Sequence, residues 1–346
     1  MDKLKNNVIF SFVEKILKYL GGKLMHSPSV AGESITAEDV GGYDFEERCR
    51  YGETPFIFFV KKNIDFLLVR ADKKLSDVFK YKIGIESEFF SAAEFDNLSR
   101  ACGAFCEKNC IKIVNVVREC AEKQYEIQWE PYDDIFLLVK HYEILKRFLI
   151  EDFGADFRAK PRYYGVGNAL QINISLYDRD GKNIFRDMGI GRNRILQKSV
   201  NGLARFTNYF LPFYIKNENC LERYDKEQNK YIYSKGLIPA PSFNSCGINN
   251  RTASVRIPTP KNFRNKKKYE EEAENNGRIE FRVPSGASDI RLALYGVLTS
   301  AHIGLSRDLP DIVPTSNNLL ENNAPYEKIC IEDFSFSDIE YGEDFF

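Results

Sequence analysis

Three short apolar segments place polar residues two apart, and this pattern constrains the chain more than any other. Glu86 and Glu88 stand in Ile-Glu-Ser-Glu-Phe-Phe, Gln171, Asn173 and Ser175 in Leu-Gln-Ile-Asn-Ile-Ser-Leu, and Arg278, Glu280 and Arg282 in Arg-Ile-Glu-Phe-Arg. On a strand, residues i and i+2 point to one face. Each segment therefore offers a polar face and an apolar one, the latter made by Ile85 and Phe89, Ile172 and Ile174, and Ile279 and Phe281. Any one such strand reads best as half solvent-exposed, because alternation is the ordinary strand pattern. Repeated over several strands, the polar face describes a lined cavity. Carboxylates brought close together repel and raise one another's pKa, so they need cations. Mg²⁺ or Mn²⁺ together with arginines would supply that charge, a combination suited to phosphoryl transfer.

The remaining periodicities fill in a mixed α and β chain. Phe56–Val60 and Phe66–Val69, separated by Lys-Lys-Asn, read as a hairpin turning at Asn63. Strands are expected at 83–90, 111–118, 125–129, 170–177, 255–257 and 278–283, and helices at 93–106, 134–153, 198–213 and 289–304. Gly154 ends the second of these helices. A turn at 178–181 follows the 170–177 strand. Lys261–Gly277, with its Lys and Glu triplets, reads as a surface loop. No internal repeat is evident.

Length and charge narrow the functional classes. A chain of 346 residues suggests about two domains. With 43% hydrophobic residues and only 13 Pro and 22 Gly, collagen-like and wholly disordered chains are excluded. Forty-nine basic residues against 50 acidic ones leave none of the basic excess expected of a nucleic-acid binder. No run is long and apolar enough for a membrane span. Val8–Leu20, interrupted by Glu14, Lys15 and Lys18, reads as an amphipathic helix rather than a signal peptide, followed by a loop over His26–Gly42. A cytoplasmic location with reduced thiols is expected for the eight cysteines. Cys102, Cys106 and Cys110 have helical spacing and no neighbouring histidine among His26, His141 and His302, so a small-residue helix face is favoured over a metal site.

Beyond these patterns, the chain resembles the glutamine synthetase family from about residue 82 to 305. Lys82–Phe90 is similar to the family's Gly-x-Glu-x-Glu-Phe-Phe strand, and Glu119–Ile127 to its Glu-x-Ala-Pro-Gly-Gln-x-Glu-Ile segment. Ala159–Leu176 resembles its Lys-Pro…Gly-x-Gly-x-His-x-His-x-Ser-Leu segment, and Asn219–Arg223 its Asn-Ser-x-x-Arg. Asn250–Pro258 is close to Asn-Arg-Ser-Ala-x-x-Arg-Ile-Pro, and Gly277–Pro284 to the Arg-x-Glu-x-Arg-x-Pro strand. The resemblance implies an α+β catalytic domain over 81–346, a curved antiparallel sheet forming a half-barrel with helices behind it. A shortened N-terminal domain over 1–80, β-grasp-like or helical, would precede it. ATP, Mg²⁺ or Mn²⁺, and small carboxylate and amine substrates are implied, as is a homo-oligomer. Carried over position by position, Glu88, Glu119 and Glu126 would hold one metal, and Glu86, Glu280 and Gln171 a second. Asn173, Ser175, Arg251 and Arg278 would meet the nucleotide, with Arg251 and Arg256 serving the transferred phosphoryl group. Gly167, Arg223 and Arg282 would bind the acid. The fork of an arginine suits both anions.

The departures fall on particular positions. The family's two histidines are here Gln171 and Asn173, and an amide oxygen ligates Mg²⁺ more weakly than imidazole or carboxylate. The Asn-Gly-x-Gly loop is Val166-Gly-Asn-Ala169, and Leu237–Ser242 carries no carboxylate where the family has its loop glutamate, near Pro239. The expected function is an ATP-dependent carboxylate–amine ligase working through an acyl phosphate, other than ordinary ammonia-fixing glutamine synthetase. The alternatives are a non-catalytic homologue that binds nucleotide or a partner protein, and a phosphotransferase that stops at the phosphorylated acid.

Overall fold

The computed structural model describes residues 60–159, 166–187, 193–259, 266–321 and 326–330. The expectations at 8–20, 26–42 and 56–59 lie outside these residues. Contacts divide the chain into Met1–Asn63 and Ile64–Phe346, and every element below belongs to the second unit.

In chain order the unit runs α1 (Ile64–Ser76), β1 (Lys80–Phe90), α2 (Phe95–Lys108), β2 (Ile113–Arg118), β3 (Gln124–Trp129), α3 (Ile135–Phe153) and β4 (Leu170–Tyr177). It continues through α4 (Arg194–Arg205), α5 (Thr207–Tyr214), α6 (Lys226–Ser234), β5 (Cys246–Ile248), β6 (Val255–Ile257), α7 (Lys266–Asn276), β7 (Ile279–Phe281) and α8 (Ile290–Ser306). The strands form one open sheet in the order β2-β3-β1-β4-β7-β6-β5. All neighbours are antiparallel except β5 and β6, which run parallel at the edge. The expected α+β architecture, a sheet with helices behind it, is therefore present, with that one parallel pair added.

Register explains why the polar positions gather. Glu88 pairs with Glu126, Glu86 with Gln128 on one side and Gln171 on the other, Asn173 with Glu280, and Glu280 with Arg256. The i, i+2 sets thus merge into one polar band across β3, β1, β4, β7 and β6. The alternate residues, including Ile85, Phe89, Ile127, Ile172, Ile174, Ile279 and Phe281, are buried on the other face. Rings from the helices close over that face: Tyr142 of α3 lies 6.0 Å from Trp129, and Tyr214 of α5 lies 5.1 Å from Phe281.

Local signals fix most boundaries. Asp134 caps α3 by accepting from the N–H groups of Phe136 and Leu137, and Gly154 ends it in the left-handed conformation, as the sequence suggests. Cys102 and Cys106 are buried on α2, while Cys110 is exposed past its end, so the helix-face reading holds for the first two. Among the described residues no helix is long and apolar enough to cross a membrane.

Three expectations are corrected. Phe66–Val69 is part of α1 rather than a hairpin strand: Ile64, Leu67, Leu68, Ala71 and Leu75 are its buried stripe, and Phe66 and Val69 face outward. The described part of the charged run expected as a loop forms α7 over Lys266–Asn276, which pairs Lys267 with Glu271 one turn on and buries Ala273. The single helix at 198–213 is two, α4 and α5. They break at Phe206, where the Thr207 hydroxyl donates to the Leu203 carbonyl.

Candidate active site

The polar band opens into a cavity of about 320 Å³. Its walls carry Glu86, Glu88, Glu119, Glu126 and Glu280 together with Arg223, Arg251, Arg256, Arg278 and Arg282, so every charged residue singled out in the sequence reaches it. Gln171 and Gly167 line it as well. Asn173 and Ser175 do not. The Asn173 amide donates to Glu86 and accepts from Arg278, and the Ser175 hydroxyl donates to the Gly277 carbonyl.

Three carboxylates converge at one end. Glu88 comes from β1 and Glu126 from the paired position on β3. Glu119 follows β2, where its N–H donates to the Gln124 carbonyl and Lys123 takes a positive φ to close the turn. One oxygen of each lies within 4.8 Å of the others. Glu88 accepts from the Ala169 N–H at 2.8 Å and from the Gln171 amide at 3.1 Å. Burial and the neighbouring Glu119 push its carboxyl up to about 7. Burial, with Glu86, Glu88 and Glu119 nearby, pushes Glu126 up to about 9. Among the described residues none of these three is ion-paired with a lysine or arginine. A hard divalent ion fits this donor set, since it would supply the charge that the protein does not.

The same cavity is rich in guanidinium groups. Arg256 and Arg282 each donate to one oxygen of Glu280, at 2.5 and 2.8 Å. Burial raises the Glu280 carboxyl, and the two arginines outweigh it, holding the group below the usual carboxylate range. The Nε atoms of Arg223, Arg256 and Arg282 are buried without a hydrogen-bond partner. Buried donors are normally satisfied, so these three N–H groups are left to donate to whatever occupies the cavity. Ile232, Ile238 and Pro239 also line the cavity.

Sequence reasoning missed Gln124, Gln128 and Asn168. The Gln124 amide donates to the Gly167 carbonyl and to Asn168, and reaches Glu88 at 3.4 Å. The Gln128 amide donates to Glu126 at 2.9 Å. The signal was present, because Gln124, Glu126 and Gln128 repeat the same i, i+2 spacing on β3. Gly167 is required here for space: a Cβ would meet the Ala159 carbonyl oxygen.

Comparison with known proteins adds the following. A family model described as "Glutamine synthetase, catalytic domain" matches residues 48–334. The chain is 27% identical over 224 residues to the glutamine synthetase of Thermococcus kodakarensis, a match spanning 62% of this chain and 44% of that protein. It is 24% identical over 210 residues to the gamma-glutamylputrescine synthetase of Escherichia coli, spanning 59% and 40%. The chain thus matches less than half the length of these relatives. Among solved structures, a GmaS/ADP complex aligns with a TM-score of 0.59 at 18% identity, over 78% of this chain and 64% of that one. The Plasmodium falciparum glutamine synthetase aligns at 0.58 and 17%, over 73% and 57%. At these identities the structural likeness speaks for the fold alone.

Proposed function

The chain belongs to the glutamine synthetase family, and from that premise we propose that it is an ATP-dependent carboxylate–amine ligase working through an acyl phosphate. One observation carries the reading: a single cavity sets three carboxylates without ion pairs against arginines whose buried Nε atoms lack partners. In the proposed reaction a substrate carboxylate oxygen takes the γ-phosphoryl group, and ADP leaves with the electron pair of the broken P–O bond. The amine nitrogen then attacks the acyl carbon, the C–N bond forms, inorganic phosphate departs, and the amine proton passes to water.

The residues contribute positioning and charge. Arg223, with the Nε of Arg282 beside it, would hold the acid, while Arg251 and Arg278 would meet the phosphates and Arg256 the group in transit. Mg²⁺ or Mn²⁺ at Glu88, Glu119 and Glu126 would draw charge from a phosphoryl oxygen. The segment Leu237–Ser242 brings no carboxylate, and Ile232, Ile238 and Pro239 line the wall. That wall supports an amine with an apolar body over free ammonia. Small molecules, rather than nucleic acid or membrane, are the proposed partners, and the cytoplasm the proposed compartment. A homo-oligomer is also proposed, and light scattering that gives a 40 kDa particle contradicts it.

The missing loop carboxylate also favours a second reading, a homologue that binds nucleotide without turnover. ADP release, screened over acids with and without amines and followed by mass spectrometry of the products, separates the possibilities. Amide formed only with amine supports the ligase. Phosphorylated acid formed without amine supports a phosphotransferase. Nucleotide binding without ADP release supports the binding role.

A further inference from the structure

The group formed by Glu86, Gln171 and Glu280 is engaged by the protein itself. Both oxygens of Glu280 accept from arginines, Oε2 from Arg256 and Oε1 from Arg282. The same Arg282 Nη1 donates to Gln171 Oε1 at 2.9 Å, so the oxygen that a cation would need faces a guanidinium. The other end of that amide donates to Glu88 Oε1. Asn173 repeats the arrangement one step along β4, accepting from Arg278 Nε at 2.9 Å and donating to Glu86 Oε1 at 3.1 Å.

These contacts fix the direction of both amides. A flipped Gln171 would set its amino group against a guanidinium and its oxygen against a carboxylate, and a flipped Asn173 would do the same. Each amide therefore connects an arginine to a glutamate in one orientation only. The charge around this group follows. Arg256, Arg278 and Arg282 surround Glu86 and Glu280, whereas Glu88, Glu119 and Glu126 form no ion pair among the described residues. A second divalent ion at Glu280 would have to break one buried and one partly buried ion pair and then stand beside three guanidiniums.

We infer that this chain holds one divalent cation per site, at Glu88, Glu119 and Glu126, and that Arg256 and Arg282, each donating to one oxygen of Glu280, together supply the charge of a second. The inference deepens the ligase reading and rests on its placement of the first cation. It also sets a local rule: restoring an imidazole at position 171 does not create a second site while Arg256 and Arg282 occupy Glu280.

The test is a titration with Mn²⁺ alone, without nucleotide, following free Mn²⁺ by electron paramagnetic resonance. Wild type and Gln171→His are expected to bind one Mn²⁺ per chain, and Glu126→Gln to bind it more than about tenfold more weakly. Two Mn²⁺ in wild type, a second gained in Gln171→His, none in wild type, or undiminished binding in Glu126→Gln overturns the inference. Turnover is not read, so an inactive protein leaves the count standing. Two bound ions would overturn the count and leave the ligase reading, tested by ADP release, intact.

Discussion

At Glu126 the sequence and the fold pull in opposite directions. Strand register sets the carboxyl beside Glu88 and burial removes it from water, so its pKa rises from an ordinary 4.5 to about 9. In metal-free buffer the native state therefore holds a proton that the unfolded state releases. The stability linked to this group is fully present below about 4.5, declines as pH rises, and is lost once pH passes about 9. Glu126→Gln, which keeps the shape without the titration, is expected to melt higher than wild type at pH 8 in chelator. With Mn²⁺ present the order reverses, because wild type gains the ion's binding energy and the variant does not. Melting curves in the two buffers check this, and an unchanged order in both would contradict it. The sequence disclosed Glu86, Glu88 and Glu280 through their spacing, but not that Gln171 and Asn173 would be oriented by arginines. That depends on which strand lies beside which, and spacing within a strand carries no such information.

Among the elements, those whose own pattern decided their state were legible. The stop at Gly154 and the alternation along β1 and β4 are local facts, and each is present in the structure. The elements that were missed owe their state to partners. α1 buries its stripe against α8, and α7 packs against the 3₁₀ turn at Ile184–Arg186. The crossing of α4 and α8 was equally invisible, because it depends on two glycines distant in sequence. A Cβ on Gly304 would meet the Lys198 carbonyl oxygen at 2.2 Å and the Gly202 nitrogen at 2.8 Å. Both obstacles are backbone, so the helices must move apart. Gly304→Ala is expected to cost about 1–3 kcal/mol, read by denaturant unfolding. Gly103→Ala, with nothing within 4 Å of the new methyl group, is the control expected to leave stability unchanged or improved. Equal stability of the Gly304→Ala variant and wild type would show that the crossing is loose.

For the molecule as a whole, the sheet gathers both signs of charge into one cavity. β1, β3 and the β2–β3 turn bring Glu88, Glu126 and Glu119, and β6 and the ends of β7 bring Arg256, Arg278 and Arg282. On the proposed reading a cation on the carboxylates and the nearby guanidiniums neutralise the oxygens of one phosphoryl group, which a solvated strand face would not do. The measurement that tests this most directly is an anomalous difference map from crystals grown with Mn²⁺ and ADP. The expected map places manganese about 2.0–2.6 Å from oxygens of Glu88, Glu119 and Glu126, with the ADP phosphates against Arg251 and Arg278 and no manganese ligated by Glu280. Manganese on Glu280, or phosphates bound away from those arginines, would contradict the account.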